Sequence, residues 1–347
     1  MRSARLLVGE GCDGLYHVVS RVVDKQMLFG EVEKRRFVML MKAYAAFGGL
    51  RLVSWVVMGN HFHILVEVPV FDPASLTPEE LLRRLAFIHG PGRVAEVRAE
   101  LAACRGAASR REIIDRYAYR MGDLGEFMKT LKQRFTQWLN RKRKRVGTLW
   151  EDRYRSVVVE GAAERGASLG HAARVVAAYI DLNPVRAGIV KDPADYRWSS
   201  YGAAAGGGDS DAMAGLRRLW GKGGPDALAA QRLMVFEEGS EDRVPEDGEK
   251  SGRTGIDAAR VWRERRRGGK LPLAVMLRLR VRYLTAGGVV GSRAFVEEVW
   301  RGSLGVGQGG SAGTTHRNKA VRPMRFGEWG GLHVLRALRV NVVGGGG

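Results

Sequence analysis

The chain has 347 residues, enough to bury a sizeable core and to form one large domain with appendages, or two domains. Its 57 Lys and Arg outnumber its 37 Asp and Glu, and the resulting formal charge of +20 favours a polyanionic partner, although a generally basic proteome or a ribosome-associated protein would have the same balance. The two distant cysteines, Cys12 and Cys104, exclude a disulfide framework and a zinc ribbon. No apolar run reaches the roughly 18 residues that span a bilayer, and the N-terminus lacks a signal-peptide core, so we expect a cytoplasmic protein without membrane contact.

The hydrophobic pattern predicts alternating strands and helices over the first 200 residues. A strand at 15–23 precedes a helix at 31–47, and two further strands at 51–58 and 61–69 meet at a Gly-Asn hairpin turn. The remaining predictions are a polar helical insertion at 71–122, a helix at 125–143, a strand at 157–160 and a helix at 163–183 that Pro184 ends. This order predicts a ferredoxin-like α+β sandwich, an antiparallel sheet with helices on it.

The composition changes after residue 202, where the predicted domain of residues 1–202 ends. Residues 203–255 are rich in glycine and charge and are predicted to be a flexible linker. Residues 256–300 are predicted to form a small helical unit with the outline of a helix-turn-helix or of a plain helical hairpin. The glycine-rich tail at 301–347 is expected to be largely mobile.

Two histidines stand in the stretch GNHFHILVEV. Because alternate residues of a strand face the same side, His61 and His63 are predicted to point together, as half a metal site or as two polar residues at a sheet edge. The chain has no other closely spaced histidine pair, so oxygen atoms or water would complete such a site, which favours Mg²⁺ or Mn²⁺. His17, in the first strand, is expected to be structural.

A second pair lies in AAYIDLNPVRAG, where Tyr179 and Asn183 are four residues apart. On a helix both side chains project from one face. They can supply a nucleophile and an oxygen ligand, or they are a packed phenol and a helix-capping amide.

A third feature is the stretch FMKTLKQRFTQWLNRKRKRVGTLW at residues 127–150, with eight Lys or Arg and no acid. A solvated helix face normally mixes both signs, so this run favours a phosphate-binding surface. Its aromatic residues Phe135, Trp138 and Trp150 either stack on bases or form the stripe that faces the core.

Together these residues resemble a known family, the REP-associated tyrosine transposases, which are single-tyrosine members of the His-hydrophobic-His (HUH) endonucleases. The resemblance covers roughly residues 14–202. It rests on YHVVSR, WVVMGNHFHILVEVP, FMKTLKQRFTQWLNRKRKRVGTLWEDRYRSVVVE, YIDLNPVRAGIV and DYRWSSY in that order. The insertion at 71–122 and the extension past residue 202 depart from shorter members.

The resemblance implies an HUH version of the ferredoxin-like sandwich that acts on single-stranded DNA with hairpin or palindromic elements. It implies that His61, His63 and Asn183 hold the divalent ion, Mg²⁺ or Mn²⁺, and that Tyr179 is the nucleophile that forms a 5′-phosphotyrosine. It leaves open a monomer or a homodimer, and it places the protein at the bacterial nucleoid. The cations that would hold the DNA are Lys129, Lys132, Arg134, Arg141, Lys142, Arg143, Lys144, Arg145, Arg153 and Arg155.

Since imidazole coordinates a metal only when neutral, activity is expected to fall below about pH 6. Two other function classes stay open: a nucleic-acid-binding protein or regulator that keeps the fold without the chemistry, and a metal-dependent hydrolase of small molecules, which the one-sign cationic helix disfavours.

Overall fold

The computed structural model describes residues 8, 11–164, 166–240, 255–271, 287–291 and 333–336. The chain divides into two compact units, the first comprising Met1–Ala204 and Ser210–Lys270 and the second Ala205–Asp209 and Leu271–Gly347. The second unit contains two antiparallel strands, β5 (Gly287–Gly291) and β6 (His333–Arg336).

A four-stranded antiparallel sheet is the centre of the first unit. Its strands are β1 (Gly14–Arg21), β2 (Arg51–Val57), β3 (His61–Val68) and β4 (Arg155–Val159). The spatial order is β2-β3-β1-β4, the ferredoxin-like arrangement in which the hairpin β2–β3 lies beside the first strand. The predicted α+β fold is confirmed.

Ten α-helices accompany the sheet within the described residues. They are α1 (Glu31–Gly48), α2 (Pro78–Leu85), α3 (Pro91–Ala103), α4 (Ala107–Ala118), α5 (Leu124–Arg143), α6 (His171–Arg186), α7 (Ser200–Ala205), α8 (Ser210–Trp220), α9 (Gly224–Glu238) and α10 (Ala258–Arg266). No described helix is long and apolar enough to cross a membrane.

One face of the sheet packs against α1 and α5 through an aromatic cluster. Phe62 of β3 lies 4.6 Å from Phe37 of α1 between ring centroids, and Phe37 lies 5.2 Å from Phe135 of α5. Phe135 and Trp150 are both buried in this cluster. Of the two alternatives given for these aromatic residues, the core-facing one therefore holds for Phe135 and Trp150.

The opposite face carries α6 and α8. Gly215 of α8 lies directly on β2, where an added Cβ would stand 2.2 Å from the carbonyl oxygen of Val53. A glycine is needed here because any side chain would push the helix off the strand. Helix α9 in turn packs on α6, with Phe236 and Val235 buried against Leu182.

The range predicted as a helical insertion contains α2, α3 and α4, and these helices have a hydrophobic core of their own. Leu81, Leu85, Val97 and Leu101 are among its buried members, and Phe47 of α1 joins it. The insertion is thus a packed helical layer attached to the end of α1.

The prediction of a flexible linker at 203–255 is wrong for residues 210–238, which form α8 and α9. The high content of glycine and charged residues suggested a linker, but the apolar residues in this range recur at helical spacing. Four of them are buried: Leu216, Leu219, Leu228 and Val235. Residues 241–254 lie outside the described residues.

Two further boundaries differ from prediction. Helix α6 begins at His171 rather than at 163, and it continues through Pro184 to Arg186. Proline has no N–H to give to the carbonyl of Ile180, and the side-chain Nδ2 of Asn183 donates to that oxygen instead, at 3.3 Å, as well as to the carbonyl of Tyr179 at 2.9 Å. The side chain supplies the donor that the proline lacks, so the last turn remains helical.

The C-terminal predictions fall mostly outside the described residues. Within 256–300, α10 is helical, but the predicted turn is strand β5 (Gly287–Gly291). It pairs antiparallel with β6 (His333–Arg336), inside the range expected to be a mobile tail. The predicted helix-turn-helix had its turn in the stretch AGGVVGS, and this prediction is wrong because residues 287–291 of that stretch form a strand.

Candidate active site

The strand register places the two histidines of the HxH motif on one face of the sheet, opposite the aromatic cluster. His61 pairs with Arg21 of β1 and His63 pairs with Val19, whereas Phe62 between them faces α1. The imidazole centroids of His61 and His63 are 5.2 Å apart, with ring planes at 78°. Both rings lie on the side of the sheet that carries α6.

The orientation of His61 is set by the residue before it. Asn60 Nδ2 donates to the backbone carbonyl of Lys25 at 2.7 Å, so the amide turns its Oδ1 toward His61 Nδ1, also at 2.7 Å. An amide oxygen can only accept, and His61 Nδ1 must therefore carry the proton. The other ring nitrogen, Nε2, then presents a lone pair, as a metal ligand requires.

His63 is held by a third histidine. Its Nδ1 lies 3.0 Å from Nε2 of His17, and the two rings stack with centroids 5.2 Å apart. When His63 is the donor in this hydrogen bond, its Nε2 is the atom with the lone pair. The expectation that His17 is purely structural is therefore incomplete, because His17 contacts the predicted ligand directly.

All three imidazoles are neutral at physiological pH. Burial lowers the pKa of His61 to about 4, with a smaller contribution from the charge of Arg21. Burial, then the neighbouring His61, His17 and Arg21, lowers the pKa of His63 to about 2. Burial also lowers the pKa of His17 to about 4. Protonation of His61 is therefore expected near pH 4 rather than near the pH 6.5 of an ordinary imidazole.

Tyr179 of α6 lies over these rings. Its ring centroid is 5.7 Å from that of His63 and 6.0 Å from that of His17, edge-on in both cases. The guanidinium carbon of Arg186, two turns further along α6, is 5.3 Å from the Tyr179 ring centroid. Tyr179 is 39% exposed, so its side chain is partly open to solvent.

Asn183 shares the Tyr179 face of α6, as its four-residue spacing predicts. Its Nδ2 is committed to the helix backbone, as described above, and only Oδ1 is left as a possible ligand atom. The described structure gives no contact between Asn183 and either His61 or His63.

The donor set fits an open metal site rather than a closed one. No three or more His, Cys, Asp or Glu side chains cluster in metal-binding geometry within the described residues. Two neutral imidazoles with oriented Nε2 atoms leave the other coordination positions to Asn183 Oδ1, water and substrate oxygens. Nitrogen ligands suit Mn²⁺ better than Mg²⁺, which prefers an all-oxygen shell.

Two arginines lie on the same sheet face as the histidines. Val19 pairs with His63 on one side and with Arg155 of β4 on the other, so His63 and Arg155 belong to one cross-strand row. Arg21 is in the row of His61 and is exposed. These guanidinium groups border the site with positive charge.

The cations of α5 occupy the other side of the sheet, and not all of them face solvent freely. Lys142 and Arg143 bind the buried carboxylate of Glu33 at 2.8 and 3.2 Å. Arg145 donates to the carbonyl of Thr148 at 3.1 Å. Part of the RKRKR run is therefore structural.

Other predicted DNA contacts are exposed or partly engaged. Lys129 pairs with Glu126 at 2.8 Å, and Lys132 donates to the carbonyl of Asp152 at 2.9 Å. The exposed cations for which the described structure gives no acidic partner are Arg134, Arg141, Lys144, Arg153 and Arg155.

The basic end of α5 is connected to the histidine end of the sheet. Arg143 donates to the carbonyl of Leu28 at 2.9 Å, and the next residue, Phe29, donates its N–H to the carbonyl of Gly59 at 2.8 Å. Gly59 is two residues from His61. These hydrogen bonds link the C-terminal end of α5 to the turn before β3.

The sequence analysis did not assign a role in the site to three residues that the structure places there, namely His17, Asn60 and Arg21. Their signal was weak, since His17 and Arg21 share the alternation of one strand, YHVVSR, and Asn60 reads as a turn residue. Only the pairing of β1 with β3 brings them to the HxH motif.

No protein-family model and no curated protein matches the chain. Among solved structures, a REP-associated tyrosine transposase bound to a REP hairpin is similar, with a TM-score of 0.35 and 14% sequence identity over 59% of this chain and 84% of that chain. The function proposed below rests on the motifs and on the geometry of the site.

Proposed function

We propose that the protein is a transposase of the HUH type, a metal-dependent endonuclease and strand transferase for single-stranded DNA that contains hairpins. The single observation that carries this proposal is the position of Tyr179, an accessible phenol edge-on to His63 at 5.7 Å between centroids. A nucleophile beside two neutral, oriented imidazoles is the arrangement that metal-assisted phosphoryl transfer needs.

His61, His63 and, through Oδ1, Asn183 would hold Mn²⁺ or Mg²⁺. A bound divalent ion supplies positive charge at the scissile phosphate, where the transition state gathers negative charge. Asn60 and His17 keep the two imidazoles in the orientation that this role needs. Arg21 and Arg155 bind the neighbouring phosphates on the same sheet face.

Tyr179 Oη attacks the phosphorus in line. A new bond forms between Oη and phosphorus, the bond from phosphorus to the 3′-oxygen breaks, and the phenol proton leaves to solvent while the 3′-oxygen gains one. The products are a 5′-phosphotyrosine and a free 3′-OH. Because one phosphodiester replaces another, the 3′-OH of a second strand can reverse the step without ATP.

The test is to incubate the protein with 5′-labelled and with 3′-labelled hairpin oligonucleotides, with Mn²⁺ or EDTA, on a denaturing gel. We expect a covalent protein–DNA band that carries only the label on the 3′ side of the cleaved bond and that disappears in EDTA. Tyr179→Phe should abolish it, since the ring contacts remain and only the nucleophile is lost. The matched control is Tyr119→Phe, the same change on the exposed surface of the insertion.

If the hairpins bind but no covalent band forms with Mn²⁺ or with Mg²⁺, the protein is instead a non-catalytic nucleic-acid-binding protein on the same fold. One observation favours this alternative: among the described residues, no third His, Cys, Asp or Glu side chain joins His61 and His63 as a metal ligand.

A further inference from the structure

Helix α10 exposes a tryptophan on its outer face. Trp262 is 56% exposed, the highest exposure of any tryptophan that the structure describes. The guanidinium carbon of Arg266, one turn later, lies 4.7 Å from the indole centroid. More than half of this large aromatic side chain faces solvent, so a face of the indole is available for stacking.

The outer face of α10 is positively charged. Arg263 and Arg266 point outward beside Trp262, with Lys270 just past the helix end, and all three are exposed. Arg265 is directed elsewhere, since it pairs with Glu237 of α9 at 3.1 Å. The helix has a single acid, Glu264, on its inner face, so the outer face contains no negative charge.

A buried ion pair keeps this face rigid. Glu264 accepts two hydrogen bonds from Arg232 of α9, at 2.8 and 3.1 Å, and Arg232 also binds Asp192 at 2.8 Å. Val261 packs in the core formed by α6 and α9. The tryptophan is therefore presented on a fixed helix, which lowers the entropy cost of binding.

We infer that the outer face of α10 binds a single-stranded stretch of DNA, with a base stacked on Trp262 and phosphates on Arg263, Arg266 and Lys270. Rigid aromatic groups among unpaired cations are typical of such surfaces. A lipid surface fits less well, since the neighbours of Trp262 on this face are charged rather than apolar. The inference goes beyond the proposed function and takes from it only the class of partner.

The test measures anisotropy of two labelled oligonucleotides, a bare hairpin and the same hairpin with a single-stranded extension. We expect Trp262→Ala to weaken binding of the extended oligonucleotide by about 5-fold to 100-fold, the loss of one stacked base, and to leave the bare hairpin unchanged. Trp262→Phe should retain most of the affinity, which separates loss of stacking from loss of fold. A double variant, Arg263→Ala with Arg266→Ala, should lower the salt slope by about 1.4, roughly 0.7 per phosphate contact.

Arg265→Ala is the matched control, since it removes an arginine from the same helix that is paired with Glu237. The inference is overturned if the Trp262 and Arg263/Arg266 variants bind the extended oligonucleotide as the control does. It is also overturned if poly-glutamate binds the parent protein in place of DNA with the same dependence on Trp262. Neither result changes the covalent band that depends on Tyr179. Failure of this inference can therefore be distinguished from failure of the proposed function.

Discussion

At the scale of single residues, the site depends on side chains that orient the imidazoles. Asn60 Oδ1 fixes the proton of His61 on Nδ1, and Asn60 is itself held by the carbonyl of Lys25. His17 Nε2 lies 3.0 Å from His63 Nδ1 and orients that ring, although an imidazole nitrogen can either donate or accept and therefore does not select the tautomer. A metal ligand without such a partner rotates and exchanges tautomers, which weakens binding.

Asn60→Ala should therefore lower Mn²⁺ affinity by about 10-fold to 100-fold, although Asn60 is not a ligand. Isothermal titration of the DNA-free protein with Mn²⁺ measures this directly. Asn60→Asp keeps an acceptor for His61 Nδ1 and should retain most of the affinity. Equal losses in the two variants would contradict the orienting role of Asn60.

The low pKa of the histidines predicts a site that resists acid. The sign follows from burial: a lowered pKa keeps His61 and His63 neutral, and able to coordinate, as pH falls through the ordinary imidazole value of about 6.5. Formation of the covalent complex with Mn²⁺ at pH 5 should thus remain within about twofold of that at pH 7 and decline near pH 4, the pKa of His61. A decline centred near pH 6.5 would show that these imidazoles are solvated.

At the scale of elements, α5 combines two roles that its sequence does not separate. The side chains of Lys142 and Arg143 neutralise the buried Glu33, whose pKa, although raised by burial, is lowered overall by hydrogen bonds from Lys142 and Arg143 and by the charge of Lys142. Arg141 and Lys144, in the same run, are exposed. Each pair consists of one lysine and one arginine, so a double substitution of the paired residues can be compared with one of the exposed residues at equal change of charge.

Replacing Arg141 and Lys144 by Ala should lower the salt slope of DNA binding by about 1.4 to 1.8, without loss of stability. Replacing Lys142 and Arg143 by Ala should reduce the free energy of unfolding by about 1–3 kcal/mol, because Glu33 is left buried without its charged partners. Urea denaturation and binding at several salt concentrations measure both quantities. The interpretation fails if the two double variants show the same pattern.

At the scale of the whole molecule, the helices past residue 202 belong to the first unit and are joined to it by buried charge. Arg232 of α9 binds Asp192, which follows α6, and Glu264 of α10. Burial opposes ionisation of Asp192, but hydrogen bonds and charge from Arg232 lower its pKa overall. Arg260 also binds Asp192, at 2.8 Å, so the buried charges form a network of opposite signs rather than isolated ions.

Arg232→Met should destabilise the protein by about 1–3 kcal/mol, since the buried Asp192 and Glu264 then keep only Arg260, at 2.8 Å, and Arg267, at 3.8 Å, as cationic partners. The fall in the midpoint of urea unfolding measures this. The control is Arg265→Ala, which breaks an exposed ion pair worth under about 1 kcal/mol. An effect of Arg232→Met no larger than that of the control would mean that the remaining arginines or water replace the guanidinium.

The predictions that succeeded depend on backbone periodicity, and those that failed rest on composition or on one residue type considered without its neighbours. The alternation of β3 and the four-residue spacing of α6 follow from backbone geometry alone. Proline usually ends a helix, and Pro184 was therefore predicted to end α6. The helix instead continues to Arg186, because the side chain of Asn183 donates the hydrogen bond that the proline nitrogen cannot. Glycine-rich composition predicted a linker where buried apolar residues at helical spacing form α8 and α9.

By itself, the sequence determined the succession of strands and helices along the chain that is typical of an α+β sandwich, the shared face of His61 and His63, and the shared face of Tyr179 and Asn183. These features follow from the regular repeat of side-chain directions along a strand and along a helix, which is already present in a short segment. Only the tertiary structure decided that His17 contacts His63, that Arg155 lies in the same row, and which cations of α5 bind Glu33. Those contacts join residues that are tens to more than a hundred positions apart, and their choice depends on strand register and on the burial of charge, which no local pattern contains.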